Sequence, residues 1–400
     1  MARGPLGTLR VLDLSNGLAG PFCAKLLADL GADVIKIEPP GGSDPSRGLG
    51  PFPAGCTDGN ASGAYVYTNT SKQSIELDVA TPEGRDLLSR LLATHDIVIA
   101  SETEPSLAAR GLGHADLLRI NPRAILATVT GFGSTGPYAG YAANHLVNCA
   151  MGGWSATCGV ADREPLQSGG NVTEFIAGAY AAVGTLAAVE ARERDGAGQH
   201  VDTSAMEATI TAALLPTMTW EYAGIVSSRN SNRATGPSWM MRCADGYIGV
   251  NVLTQAQWEA LCGFVGMDDL ISEAAYANGA LRLQCEAELR ARIEPWFAGR
   301  AAVEVFQEAQ LWRLPFGLVP TLTEILGLEQ HREREFFTMA PHPCDPERTI
   351  PTVGLPFHMP ASPSSPSPAP RLGQDTDTVL RDLLGLAPDK INELRAAGVC

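Results

Sequence analysis

The chain has 400 residues, 45% of them hydrophobic and 18% charged, which is enough apolar material for a large core and, at this length, for two domains. Its net charge of −15 excludes nucleic acid and anionic membrane as expected partners, because phosphate-rich surfaces call for a basic footprint. Any phosphate site must then be local.

The chain opens with two apolar strand-like runs, Leu9–Leu14 and Asp33–Glu38, bracketing a small-residue turn, Gly17–Pro21, and an amphipathic stretch, Phe22–Leu30. This is a βαβ pattern, and a helix start after a strand presents free N–H groups suited to a phosphate-bearing ligand. GxGxxG is absent, so a nicotinamide reading is weak and by pattern alone an ordinary α/β core unit fits better. A Gly/Pro-rich loop runs from Pro39 to Gly63. Beyond it come a strand at Ser74–Val79, a helix capped by Thr81 with Pro82 at its first position, and strands at Asp96–Ala100 and Ala124–Thr130. The alternation predicts a parallel, Rossmann-like sheet.

Residues 131–170 are loop-rich. They lead into a helix at Glu174–Arg192 whose nearly uncharged stretch, Phe175–Val189, is shorter than the roughly 20 residues of a membrane span and reads as a core helix. A strand at Gln199–Thr203 and a helix at Met206–Trp220 follow. From about Ser227 the texture changes to a hairpin over Met240–Val250, turning at Ala244-Asp245-Gly246, and helical stretches at Gln255–Val265, Asn278–Ala298 and Ala302–Trp312. Pro315–Gly354 reads as short strands and turns, Ala361–Pro370 as an extended Pro/Ser tether, and the segment from Asp375 as helical. Nine cysteines show no CxxC pair and no metal-ligand spacing, and their odd number argues for reduced thiols. With no apolar leader at the N-terminus, a cytoplasmic location is expected.

The wording of the segments is more specific than their periodicity. LAGPFCAKLLADLGADVIKIEPPGGSDPSR closely resembles the opening of the family III CoA-transferases, a group that includes formyl-CoA transferase, carnitine CoA-transferase and α-methylacyl-CoA racemase. Further matches recur at SKQSIELDVATPEGRDLL, INPRAILATVTGFGSTGPYAG, YAAVGTLAAVEARERDGAGQHVDTSAMEA, ADGYIGVNVLTQAQWEALCGFVG and PAPRLGQDTDTVLRDLLGL. The resemblance implies a large Rossmann-like domain made of residues 1–226 and 326–400, a small α+β domain at 227–325, and two chains interlocked as a homodimer. It also implies coenzyme A and acyl-CoA as substrates, a carboxylic acid acceptor, and no tightly bound cofactor.

Moving CoA between acids needs a nucleophilic carboxylate, which attacks a thioester and then carries CoA as its own thioester. The family pattern Asp-x-x-x-Gly-x-Tyr-Ala-Ala falls on Glu174-Phe175-Ile176-Ala177-Gly178-Ala179-Tyr180-Ala181-Ala182, so Glu stands at the nucleophile position. By its residues alone Glu174 reads first as a helix-start carboxylate favoured by the dipole, and the resemblance is what points to catalysis. His145, after the GFGSTGPYAG loop, is the second candidate. The racemase His falls on Asn144 and its partner Asp on His145, and a one-residue adjustment would let His145 and Glu174 exchange a proton α to a thioester. The other histidines, His95, His114, His200, His331, His342 and His358, have no metal-ligand spacing, and no metal is expected.

For CoA the resemblance implies Gly17, Leu18 and Ala19, then Leu77, Asp78 and Val79, and the segment from Ser101 to Arg110, with Asn144 nearby. Arg110 and Arg47 are the expected phosphate partners, since a guanidinium grips phosphate in two places. Two departures add acid or remove base: Ala100-Ser101-Glu102-Thr103-Glu104-Pro105 replaces Glu-Asn-Phe-x-Pro-Gly, and Pro39-Pro40 replaces basic residues. The four-glycine lid of formyl-CoA transferase is Asn232-Arg233-Ala234-Thr235-Gly236 here, stiffer, with Arg233 available for an acidic substrate. Three readings stay open: CoA transfer through Glu174, racemisation by His145 and Glu174, and acyl-CoA binding without turnover.

Overall fold

The structure, a computed structural model, describes residues 4–160, 162–212, 214–229, 236–363 and 366–400. The chain divides into two compact units, one of residues 1–218 with 336–400 and one of residues 219–335. Both ends of the chain therefore build the larger unit, and the boundaries expected at 226 and 325 fall at 218 and 335. The expected lid, including Arg233, lies outside the described residues apart from Gly236.

The larger unit is built on six parallel strands, β1 (Arg10–Asp13), β2 (Asp33–Glu38), β3 (Gln73–Glu76), β4 (Ile97–Ala100), β5 (Ile125–Thr130) and β6 (His200–Ser204), in the order β3-β2-β1-β4-β5-β6. The order reverses between β1 and β4, the point at which open α/β sheets leave a crevice beyond their strand ends. Alternation puts Val11, Val34, Ile97, Ile99, Ile125 and Ala127 on one face and Leu12, Ile35, Ile37, Ile75, Val98 and Leu126 on the other. Both faces are buried, which is why the strands read as continuous apolar runs.

Helices Ala19–Asp29, Val172–Asp195 and Ala205–Ala212 cover the first face. The second is covered by Pro82–Leu92, His114–Ile120 and the C-terminal pair Thr376–Asp382 and Pro388–Ala396, through Val379, Leu380, Ile391 and Leu394. The C-terminal segment also closes the edge of β3. The Ser74 N–H donates to Asp375 Oδ2 at 2.9 Å and the Glu76 N–H to Thr376 Oγ1 at 3.0 Å. These bonds occupy donors that an edge strand otherwise exposes.

Helix Val172–Asp195 is longer than expected and only one of its faces is in the core. Ala177, Gly178, Ala181, Ala182 and Ala188 face inward, whereas Tyr180 and Val183 are exposed. Gly178 lies so close to helix Ala19–Asp29 that a Cβ there would stand 2.5 Å from the Ala19 carbonyl oxygen.

The smaller unit has a three-stranded antiparallel sheet, β7 (Ser238–Arg242), β8 (Tyr247–Asn251) and β9 (Gly317–Leu318), packed under helices around Trp258, Tyr276 and Phe297. The helix expected over 278–298 breaks at Cys285. Two helices, Leu322–Gly327 and Glu329–Glu333, stand where strands and turns were expected. The first is set by a capping box, the Glu324 Oε2 accepting from the Thr321 N–H at 2.7 Å. The hairpin of β10 (Phe337–His342) and β11 (Asp345–Val353) belongs to the larger unit.

The cysteines correct the thiol expectation. Cys56, in the loop after β2, and Cys344, at the tip of the last hairpin, form a disulfide across 288 residues of sequence. Folding, not spacing, brings them together, so counting cysteines could not reveal the pair.

Candidate active site

At the carboxyl ends of β1 to β4 lies a cavity of about 300 Å³. Leu14, Ser15 and Asn16 after β1, Ser43 and Asp44 from the following loop, Leu77, Asp78 and Val79 after β3, and Glu102 and Arg110 after β4 line it. Most of its acid is already matched. Arg110 is bonded to Glu102, Asp44 lies 2.7 Å from the Lys36 Nζ, and Glu38 accepts from Arg47 at 2.6 and 3.0 Å.

Four of the expected CoA residues, Leu77, Asp78, Val79 and Arg110, therefore line this cavity. Arg47 does not. Its guanidinium also donates to Asn60 at 2.9 Å and stacks 3.7 Å from the Tyr65 ring, which ties down the loop after β2. Asn144 caps helix His145–Met151, accepting from the Val147 N–H at 3.0 Å, away from the cavity. Ser101 Oγ holds the loop after β1 by donating to the Asn16 carbonyl at 3.0 Å and accepting the Asn16 N–H at 3.1 Å. Gly17, with φ of +75°, turns the chain and donates its N–H to Asp44 Oδ1 at 2.9 Å. Leu18 is buried, and Ala19 meets Gly178.

That loop joins the cavity to the second part of the site. Glu174 sits in the first turn of helix Val172–Asp195, one turn before Gly178, and the next residue, Phe175, packs edge-on against Phe22 with centroids 5.0 Å apart. His145 opens helix His145–Met151. Its Nδ1 stands 3.1 Å from Glu174 Oε2 and 2.8 Å from Thr173 Oγ1, and its Nε2 is 2.9 Å from the Ser168 carbonyl oxygen. Thr173 Oγ1 donates to Glu174 Oε2 at 2.8 Å. The His145 and Glu174 side chains keep 11% and 16% of their surface, so the pair is largely withdrawn from water but open on one side.

Sequence reasoning brought His145 and Glu174 together; it missed the groups that hold them. Thr173 is fully buried, and Cys149 Sγ lies 3.7 Å from His145 Nε2. It also missed the charges beneath the cavity. Lys72 Nζ donates to Asp13 Oδ2 at 2.7 Å, to Asn69 Oδ1 at 2.8 Å and to the Pro21 carbonyl at 2.9 Å, and Lys36 Nζ donates to the Ser15 carbonyl at 2.9 Å. Burial alone would raise the Asp13 carboxyl, but Lys72 and Lys36 hold it below the usual carboxylate range. Burial and the neighbouring Lys36 bring Lys72 down to about 8 even though Asp13 opposes them. The signal was present, since Asp13 and Lys36 are charged residues inside otherwise apolar strand runs. Among the described residues no three His, Cys, Asp or Glu side chains are grouped as a metal site needs.

A parallel-sheet α/β protein with a crevice at its strand ends, and a largely withdrawn carboxylate at a helix start beside it, has the build of a group-transfer enzyme. The chain belongs to CoA-transferase family III, which it matches over residues 6–376, and it is a CoA-transferase, an enzyme that uses acyl-CoA thioesters and carboxylic acids. It is 31% identical to a succinate–glutarate CoA-transferase of Agrobacterium fabrum, over 95% of this chain and 96% of the relative. It is 34% identical to a succinyl-CoA–D-citramalate CoA-transferase of Chloroflexus aurantiacus, over 99% and 98%. The crystal structure of a CAIB/BAIF family protein from Brucella suis superposes with a TM-score of 0.83 at 28% identity, covering 95% of this chain and all of that one.

Proposed function

We propose that this enzyme transfers CoA through a covalent intermediate on Glu174, with short dicarboxylic acids as donor and acceptor. The observation that carries the reading is the placement of the Glu174 carboxylate, at the family's nucleophile position, in the first turn of a helix that abuts the loop leaving the cavity. The Glu174 carboxylate attacks the acyl-CoA carbonyl and expels CoA thiolate, leaving a mixed anhydride. The thiolate attacks the Glu174 carbonyl carbon and releases the donor acid, and the acceptor carboxylate then reverses both steps, leaving as the new acyl-CoA. The dicarboxylate assignment rests on the names of the two relatives above, both of which act on succinate or its thioester. The wall residues Leu77–Val79 and Arg110 are the proposed contacts of the CoA moiety, and Tyr180 and Val183, exposed on helix Val172–Asp195, are apolar surface that the proposed homodimer would cover.

The test uses succinyl-CoA followed by hydroxylamine or borohydride, which should modify a peptide containing Glu174. Glu174→Gln should abolish both the label and the transfer. Full activity in that variant, or labelling elsewhere, would refute the nucleophile role.

The His145–Glu174 contact favours a second reading, in which the pair removes and returns an α-proton. Incubation of a 2-methylacyl-CoA in D₂O separates the two. Transfer through Glu174 predicts that the α-hydrogen is retained, whereas uptake of deuterium that disappears in both His145→Ala and Glu174→Gln would make the enzyme an epimerase.

A further inference from the structure

The hydrogen bonds around Glu174 fix where protons sit. His145 Nε2 lies 2.9 Å from the Ser168 carbonyl oxygen, which only accepts, and further, at 3.3 Å, from Ser168 Oγ, so the shorter contact calls for a proton on Nε2. The other ring nitrogen faces two oxygens, Thr173 Oγ1 at 2.8 Å and Glu174 Oε2 at 3.1 Å, which are themselves 2.8 Å apart. Thr173 has one proton to give. If it goes to Oε2, then Nδ1, with the Cys149 thiol no nearer than 4.0 Å, faces two oxygen lone pairs and must carry a proton; if it goes to Nδ1, then Oε2 must carry one. Either way the triad holds one proton more than a neutral imidazole and a free carboxylate would. When Glu174 is ionised, as attack on a thioester requires, that proton is on Nδ1 and both donors converge on Oε2.

We propose that His145 and Thr173 are positioning residues that clamp Oε2 of Glu174 by two donors, present Oε1 as the attacking oxygen, and stabilise the oxyanion formed at Oε2 in each tetrahedral intermediate on the Glu174 carbonyl carbon. This rests on the covalent reading of Glu174. When CoA thiolate or the acceptor carboxylate adds to that carbon, the C–O double bond to Oε2 opens and its electron pair becomes an alkoxide. The leaving carboxylate or thiolate departs as the double bond re-forms. The Nδ1–H and Oγ1–H groups are already aimed at Oε2 before any charge develops there, which is how an oxyanion site lowers a barrier without reorganising. Both donors are fixed from behind. Thr173 is wholly buried, and the imidazole is pinned through Nε2 to Ser168. The clamp also gives His145 a role that needs no contact with a substrate α-carbon, unlike the proton exchange of the second reading.

The clamp predicts that its donors can be removed and restored separately. His145→Ala removes the Nδ1 donor, so thioester formation on Glu174 should fall, and His145→Asn, which places an amide donor where Nδ1–H stood, should recover most of the rate.

The experiment measures the single-turnover rate of hydroxylamine-trappable label on Glu174 from succinyl-CoA in the wild-type protein, Thr173→Ser, Thr173→Val, His145→Ala and His145→Asn. Thr173→Val removes one oxyanion donor and should slow label formation by about 10²–10³-fold at unchanged KM for the thioester. Thr173→Ser keeps the hydroxyl and should keep the rate. Wild-type rates in Thr173→Val, or a His145→Asn variant no faster than His145→Ala, would overturn the clamp. Should the valine variant fail to fold, the comparison of His145→Asn with His145→Ala still tests the clamp by itself. If the wild-type protein gains no label on Glu174, the covalent reading has failed and takes the clamp with it, an outcome distinct from a labelled enzyme indifferent to its donors.

Discussion

Asp13 and Lys72 form a fully buried ion pair beneath the β1 turn, with every Nζ proton of Lys72 directed at an oxygen. Removing one partner of such a pair leaves the other charged in an apolar surrounding, which costs about 3–5 kcal/mol. Lys72→Met should therefore lower the unfolding free energy, measured by urea titration at neutral pH, by about that much. Acid should shrink the difference. The native Asp13 carboxyl is held below its ordinary value, so the pair's stabilisation is complete from the unfolded-state value, about 3.9, up to the region of about 8 where Lys72 gives up its proton, and is lost as pH falls through the lower native value. An effect of Lys72→Met that stayed constant down to pH values where Asp13 is protonated would show that packing, not charge, is what Lys72 supplies. At this scale Glu174 and His145 were legible because a family wording carries them. Thr173 and the Lys72 network were not, because their meaning lies in partners that only the fold brings near.

At the scale of elements, the strands could be read because burial on both sheet faces imposes unbroken apolar runs, and the Thr81-Pro82 cap announced its helix in the sequence. The misreadings were local conflicts of the same kind. The helix Leu322–Gly327 starts with a Thr-x-x-Glu box that turn-like neighbours obscured, and the stretch 278–298 has helical periodicity but breaks at Cys285. One element contact carries function. Gly178 lets helix Val172–Asp195 lie against the Ala19 carbonyl, with no Cβ between them, and Glu174 is one turn away. Gly178→Ala forces a shift of the helix start relative to the loop leaving the cavity. A displacement of about 1 Å can cost on the order of a hundredfold in a reaction that depends on alignment. The expected outcome is a fall in kcat of that order with an intact fold by circular dichroism. Unchanged kcat would mean that the helix start does not set the reacting geometry.

At the scale of the whole molecule, the return of the C-terminal helices to the larger unit was legible in a family match at both ends of the chain, and Val379, Leu380, Ile391 and Leu394 give it a physical basis by completing one face of the sheet core. The disulfide between Cys56 and Cys344 was illegible, since no spacing rule reaches across 288 residues. The proposed dimer belongs here as well. Helix Val172–Asp195 leaves Tyr180 and Val183 exposed, and helix His145–Met151, which contacts it, leaves Leu146 and Met151 exposed. Contiguous apolar surface beyond a few hundred Å² is uncommon on a monomer, and obligate interfaces bury roughly 2,000 Å² or more. If the two chains are threaded through each other, separation requires unfolding, so the native mass should not change on dilution to nanomolar concentration. Exchange makes the stricter test. Tagged and untagged dimers, mixed and incubated without denaturant, should yield no hybrid, and hybrids should form only after unfolding in urea and joint refolding. A folded monomer on dilution would reject the dimer, whereas hybrids formed under native conditions would reject the interlocking and leave an ordinary, dissociable pair.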